Sequence, residues 1–534
     1  MSRKSIGVPC LVATLTGISA LCANAQSFRV QCPTSTITHP VRDANHQNFP
    51  NDYNSEPAYT APTSLTLGPN GYFGPSANVN GAIKCQQISG GDGYATMGDG
   101  TQTYLFAFGP LSGLADIVSG LPGTEFPNVF NVVSPSALKP GDPATTVDAN
   151  FGSLASFKYN GAVGLAPDLD AGGAIDGHVD TRPIMDVGVM NGNVPAPLLA
   201  IDEDDEFFLT LTNVGMIMRP DLFEQHTVHF HGYPNASAFY DGVPDASVAI
   251  NIGGSFTYYY LAPDAGTYFW HCHITPPEHL QMGMVGQLYV RPRQNRVPVG
   301  NDLYAALQQQ ELDNRTKCIS SADILCSNPL PLVNTGAKRA AAGKYAYNDG
   351  DGSTYYDVEY PIQMHGFDPN FHFVGMTFNP EGFADMKDKY FLMNGRSYPD
   401  TVTPGPLETQ SVDGSNHFAQ PLSSIVNIPV GGRALLRISD LNVSEYHTLA
   451  SLGIPMTVIA LNAKLLRDQS GNNMYYNTNS ITLGGGESLD VILDASDTSK
   501  YKRGDVYYLF TPNLDHLSND AENFGGMMTE IRIN

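Results

Sequence analysis

The sequence predicts an all-β protein: two related β-sandwiches preceded by a long, loop-rich region. Three observations carry this expectation. Its 534 residues include 53 glycines and 38 prolines, a turn-rich composition that favours short strands. From Ile184 onward, short apolar runs alternate with turn residues at the spacing of a sandwich. A weak internal repeat points to two units, because Met190-Asn191-Gly192 with Pro195 recurs as Met393-Asn394-Gly395 with Pro399. A second echo sets Phe269-Trp270-His271-Cys272-His273, followed by Gly283-Met284, against Leu509-Phe510-Thr511-Pro512-Asn513, followed by Gly526-Met527. The later copy keeps the frame and lacks the histidines and the cysteine.

Composition also excludes function classes. Only 15% of residues are charged, and 52 acids against 28 bases leave a net charge of −24. Nucleic acid is therefore not an expected partner. The 42% hydrophobic content is enough to fill several cores and rules out a disordered chain.

Along the chain, Arg3 and Lys4 precede an apolar run from Ile6 to Ala23, and Ala23-Asn24-Ala25 follows. This is the pattern of a secretory signal over residues 1–25. The run contains Pro9 and Gly17 and is short for a membrane span. The expected destination is the periplasm or the extracellular space, with no membrane span. Residues 26–182 read as loops contributing an edge strand at Thr103–Gly109. Residues 183–295 read as a first sandwich with strands at Glu206–Asn213, His226–His231, Ser255–Leu261, Gly266–His273 and Gly286–Val290. Residues 296–345 form a polar linker with a short helix at Asp302–Leu312, and residues 346–534 form a second sandwich.

Two of the seven cysteines, Cys10 and Cys22, leave with the signal. The other five face an oxidising compartment. Cys318 and Cys326 are separated by a short loop and make the natural local disulfide, and Cys32 with Cys85 follows by elimination. Cys272 is left over, in the densest histidine cluster of the chain, where a reactive or metal-bound thiolate is expected.

That cluster has two parts: HTVHFHG, with His226, His229 and His231, and WHCHITPPEHLQMGM, with His271, Cys272, His273, His279 and Met284. On a strand, a period of two sets His229 and His231 on one face, and likewise His271 and His273, with Cys272 pointing away. Two ligand sets result. His226, Cys272, His279 and the thioether of Met284 have the composition of a type 1 blue-copper site; zinc seldom recruits such a methionine. His229, His231, His271 and His273 offer four imidazoles suited to catalytic copper. Covalent adjacency makes Cys272, His271 and His273 the short electron path between the sets, and so the catalytic residues.

At these residues the sequence resembles the multicopper oxidase family, whose motifs HxxHxHG and HCHx(n)HxxxGM both occur in order. The resemblance runs through MNGNVPAPLLAIDEDDEFFLTLTNV, DGVPDAS, GTYFWHCH and MNGRSYPDT, from about Ile184 onward. It implies two cupredoxin-like Greek-key domains, the second without a type 1 site. It also implies type 1 ligation by His226, Cys272, His279 and Met284, and type 2/type 3 ligation by His229, His231, His271 and His273. The acceptor it implies is dioxygen, with a phenol, a metal ion or a redox protein as electron donor. Two departures accompany it. The spacing from His273 to His279 is two residues longer than usual, the extra length falling within Ile274–Glu278, and only half of an eight-histidine cluster is present.

The half-cluster leaves two rivals open. A copper nitrite reductase, also similar here, needs only type 1 and type 2 copper and would be a homotrimer with an interface histidine, for which His516 is the candidate. A blue-copper electron carrier would need the type 1 set alone. His365, His372, His417 and His447 read as structural. Asp349-Gly350-Asp351-Gly352 reads as a turn, and the acidic run Asp202–Glu206 as a solvated loop.

Overall fold

The structure is a computed structural model. It describes residues 30–40, 55–130, 191–216, 218–219, 224–232, 237–262, 264–309, 329–375, 382–410 and 416–534, with short strands at 145–147, 155–157, 166–169 and 175–180. The signal segment 1–25 and the pair Cys318 and Cys326 lie outside the described residues. Cys32 and Cys85 form a disulfide.

The architecture is all-β, two sandwiches that share a strand order over four neighbouring strands of each sheet, with further strands at the edges of the second. One sheet of the first runs Ser255–Leu261, Glu206–Gly215, Ile83–Thr96, Gln102–Pro110; the other runs His229–Phe230, Gly266–His271, Val285–Arg291, Leu199–Asp202. In the second sandwich the matching order is Ser488–Asp494, Arg433–Asp440, Val358–Phe367, Tyr390–Met393, facing Ser480–Leu483, His447–Leu452, Val506–Phe510, Met528–Ile533, Val426–Ile428. Parallel pairs fall at corresponding places, Glu206–Gly215 with Ile83–Thr96 and Arg433–Asp440 with Val358–Phe367. Each unit encloses its own core, one around Trp270, Phe108, Tyr258 and Leu288, the other around Ile362, Leu436 and Val491.

Several elements differ from the sequence expectation. Residues before Arg182 supply two strands of the first sandwich, not only an edge strand: Thr103–Gly109 lies in the edge strand Gln102–Pro110, and the 14-residue Ile83–Thr96 is its inner neighbour. Gly90, Gly91 and Gly93 with Gln86, Gln87 and Asp92 hide the alternation there, and these polar side chains are buried. For Asp92 and Gln87 burial is tolerable because Asp92 accepts from Tyr104 Oη at 2.6 Å and Gln87 donates to Thr212. The span His226–His231 is a strand only at His229–Phe230, with His226 in an isolated bridge to Ile250. The expected helix in the linker forms over Leu303–Gln308, capped by Asp302, whose carboxylate accepts from the Ala305 amide at 2.8 Å.

The acidic run is not a solvated loop. Glu203, Asp204, Asp205 and Glu206 are all buried. Arg293 makes a two-pronged pair with Asp204 at 3.1 and 2.8 Å, and Arg296 reaches the same carboxylate at 3.2 Å. His39 meets Glu206 at 2.8 Å. These partners come from distant sequence, so the local charge run carried no sign of them. Asp349, by contrast, accepts from the Asp351, Gly352 and Thr354 amides, and the segment is the turn its sequence indicates.

Ion pairing and apolar packing join the sandwiches. Ala107, Val194, Phe269 and Leu280 pack with Phe367, Leu392 and Leu441. Arg291, ending a strand of the first sandwich, donates to Glu359 of the second at 3.0 and 2.9 Å, and Arg437 donates to its other oxygen at 3.1 Å. Burial opposes ionisation of Glu359, but Arg291 and Arg437 overcome it and lower its pKa from 4.5 to about 2. Glu359→Gln leaves the buried Arg437 and the part-exposed Arg291 short of a counter-charge and should destabilise the fold by about 3 kcal/mol at neutral pH. Because the folded value is depressed, the carboxylate's contribution is complete above its ordinary range and is lost as pH falls toward 2. Denaturant unfolding of both proteins should therefore show the gap narrowing below about pH 4.5; a gap independent of pH contradicts this role.

Candidate metal centre

Antiparallel pairing of two short strands builds the centre. His229 stands opposite His271, and Phe230 opposite Trp270. Opposed residues project to one face, so Phe230 and Trp270 enter the first core while His229 and His271 turn outward together. Cys272, one residue past the strand, belongs to the core side.

On that inner side Cys272, His226 and His279 are fully buried, and their donor atoms lie within 4.8 Å of one another. His279 Nδ1 is 3.3 Å from Cys272 Sγ, and the Thr227 amide donates to the same sulfur at 3.4 Å. Burial alone would raise the thiol, yet the charge of His279 and its hydrogen bond, with the charge of the nearby His226, hold it well below its ordinary value. A thiolate is the metal-binding form. His279 rides on a helix, Pro276–Gln281, begun by two prolines at its first positions. The longer spacing is thus taken up by a helical turn. The Cys272 amide donates to Met284 O at 3.1 Å, and the Met284 amide to His279 O at 2.8 Å, which ties the buried Met284 to Cys272 and His279.

Three residues of this pocket were not visible in the motifs. Phe106 stacks on His226 and meets His279 edge-on at 5.1 Å. Glu224 Oε2 lies 3.7 Å from His279 Nε2. Gly90 abuts both His226 and Met284: an added Cβ would lie 2.6 Å from His226 Cδ2 and 3.3 Å from Met284 Cε. Two of the three come from strands preceding the resemblance, so no local signal marked them.

On the outer face His229, His231 and His271 bring their donor atoms within 4.8 Å. His231 Nε2 and His271 Nε2 are 3.0 Å apart. His229 Nδ1 donates to Asp241 O and His271 Nδ1 to Cys272 O, both at 2.7 Å, which fixes these tautomers and leaves Nε2 to a ligand. Gly486 of the second sandwich lies against His231, where a Cβ would come within 2.9 Å of the ring. Burial, then the charges of His229 and His273, lowers the His231 pKa to about 4; burial takes His271 well below its ordinary value. Both imidazoles are neutral, the form that binds metal. The His273 ring lies 5.0 Å from that of His229, at the edge of this group.

A cleft of about 750 Å3 opens over His231 and His271, with Glu445, Tyr446 and Glu487 of the second sandwich on its other wall. The remaining described histidines sit elsewhere. His372 bridges Tyr104 O and Gln281 O at 2.6 and 2.9 Å and stacks on Phe367. His365 and His447 are buried in the second sandwich, and His516 Nε2 meets Glu445 at 3.1 Å. His417 lies on the strand Asn416–Ala419.

Both sets suit copper. His226 has neither ring nitrogen hydrogen-bonded, although fully buried, a cost that a bound cation removes. Soft sulfur with two imidazoles fits copper, as do three neutral imidazoles on the other face.

Residues 176–295 match the family model described as multicopper oxidase. That segment is similar to the multicopper oxidase family. Relatives share the similarity: Multicopper oxidase MCE of Talaromyces pinophilus is 35% identical over 150 residues, 28% of this chain and 22% of that protein. A copper-containing nitrite reductase of Rhizobium meliloti is 34% identical over 109 residues, 20% of this chain and 26% of that one. The chain thus spans about a quarter or less of the length of these relatives. The blue copper oxidase of Nitrosomonas europaea aligns in structure over 84% of this chain and 85% of that one, with TM-score 0.45 and 18% identity.

Gly90→Ala tests the inner pocket. The added methyl collides with a ring locked in the core, an overpacking that costs about 1–3 kcal/mol, and should shift or abolish thiolate-to-copper absorption in the copper-loaded protein. An unchanged visible spectrum would count against His226 and Met284 facing Gly90 as ligands.

Proposed function

We propose that the chain is an exported, copper-dependent oxidoreductase that takes electrons at His226, Cys272, His279 and Met284 and passes them to His229, His231, His271 and His273, where dioxygen is reduced. The single observation carrying this reading is the two-faced HCH segment. Cys272 turns inward to His226 and His279 while His271, its covalent neighbour, turns outward to His229 and His231. Domains at 183–295 and 346–534, the first completed by strands from residues 83–110, are part of this reading, as is export by the segment 1–25.

Copper at both sets would supply one-electron storage and reduction of the bound acceptor. The chain's own contribution is positional. The Cys272 carbonyl that accepts from His271 Nδ1 ties the two faces together by a hydrogen bond as well as a peptide link. Burial of Cys272 and Met284 keeps water from the inner set, while the cleft beside His231 and His271 admits a small acceptor. Electron donors of the phenol, metal-ion or redox-protein class would approach His279, whose Nε2 lies beside the part-exposed Glu224.

A second reading, nitrite reduction, is favoured by one observation: the outer set gathers three histidines, the complement of a single copper rather than a cluster. Its trimer would bring a histidine from a neighbouring subunit.

His229→Ala/His231→Ala separates these from simple electron carriage. It should abolish oxygen uptake, by more than about 100-fold given that even outer-shell changes cost 10–100-fold, while the blue absorption of Cys272 persists. Unchanged turnover would contradict a catalytic outer set; a wild-type chain that reduces nitrite without consuming oxygen would transfer the reading to nitrite.

A further inference from the structure

The cleft over His231 and His271 is larger than a small acceptor requires. Its volume of about 750 Å3 falls in the range that encloses organic ligands, about 300–1,000 Å3, and dioxygen or nitrite would fill only a small part of it. The lining is also mixed in kind. Pro276, Pro277 and Leu280 of the first sandwich give it an apolar side, and Glu445, Tyr446 and Glu487 of the second face them.

The loop Gly484–Gly486 sets the spacing of these groups. A Cβ added at Gly484 would lie 2.8 Å from Tyr446 Cε1 and 3.6 Å from Glu487 Oε2, and one added at Gly486 would lie 2.9 Å from the His231 ring. Tyr446 and Glu487 thus meet at one end of a three-residue strip, and His231 stands at the other, with the two ends at most about 7 Å apart along the backbone. Glu487 Oε2 accepts from the Gly484 amide at 2.8 Å, which holds the carboxylate in place. Tyr446 is 73% exposed, so no core accounts for its position beside that carboxylate. Glu445, by contrast, already pairs with His516.

A carboxylate next to an aromatic face is the combination that recognises an ammonium ion, through an ion pair and the ring quadrupole together. No lysine or arginine lines the cleft to compete for it. The chain's net charge of −24 favours the approach of cations.

We propose that the cleft binds an organic cation of the aralkylammonium class. The ammonium sits between Glu487 and the Tyr446 ring, and the aromatic ring lies on Pro276, Pro277 and Leu280, toward His231. A ring carrying a two-carbon ammonium arm is about as long as the glycine strip. Binding rests on the cleft alone, whereas a role for the bound cation as electron donor rests on the proposed oxidase reading.

Calorimetry on the full chain, copper-loaded and kept reduced under nitrogen, tests it with two probes: tyramine, and 4-ethylphenol, which differs only in lacking the amine. Tyramine should bind about tenfold more tightly, the least that a hydrogen bond to a charged group contributes. Glu487→Gln keeps an acceptor for the Gly484 amide and should remove the preference, while unchanged 4-ethylphenol binding shows that the cleft is still formed. Equal affinity of wild type for the two probes overturns the proposal, as does a preference that survives Glu487→Gln, or a cleft that binds neither probe because a second copy of the chain fills it. Tyramine preference in a protein that consumes no oxygen would contradict the oxidase reading and support the cation site.

Discussion

The pairing of His229 with His271 is the constraint on which the centre depends. Once these residues are opposed, pleat alternation leaves no freedom: Trp270 and Phe230 enter the core, and the next residue, Cys272, follows them in toward His226 and His279. Slipping the register by one residue would send the histidines into the apolar core and the thiol to the cleft. Register is therefore fixed by the burial of Trp270 and Phe230, and the chemistry is placed by the same apolar burial that stabilises the sheet. Each such aromatic contributes about 1.5–3 kcal/mol, enough to hold histidines that would otherwise be costly to bury.

The second sandwich matters to the centre even though its residues are not in the two motifs. Gly486 presses on His231, and Glu445, Tyr446 and Glu487 form the far wall of the cleft. Its position is held by the Arg291–Glu359–Arg437 cluster and by Gln287, which donates to Arg437 O and Ser439 from the first sandwich. The buried run Glu203–Glu206 does a similar task at the other end, gathering Arg293, Arg296 and His39 from distant parts of the chain. Charge is thus used here as internal fastening, which explains how a chain with few charged residues buries so many of them.

Much of the site was legible in the sequence because its periodicity is local. HTVHFHG and HCH sort their side chains by alternation, and the structure separates the same residues onto two faces. Long-range features were not legible. Ile83–Thr96 is a strand whose glycines and polar residues conceal alternation, since Gly90 must leave room for His226 and the buried Gln87 and Asp92 find partners only in three dimensions. Asp202–Glu206 looked solvated because its counter-charges are supplied from far along the chain. The repeat was readable, but its frame was displaced by one residue, a shift that only hydrogen bonds reveal: the Thr511 amide donates to Met527 O and the Met527 amide to His516 O, as the Cys272 amide donates to Met284 O and the Met284 amide to His279 O.

The most direct measurement is the visible and paramagnetic-resonance spectrum of the copper-loaded Cys272→Ser protein. Loss of the intense thiolate absorption, with a copper signal retained from the histidines of the outer face, is the expected result. Blue absorption persisting without Cys272 would contradict the assignment of this residue as the link between the two faces.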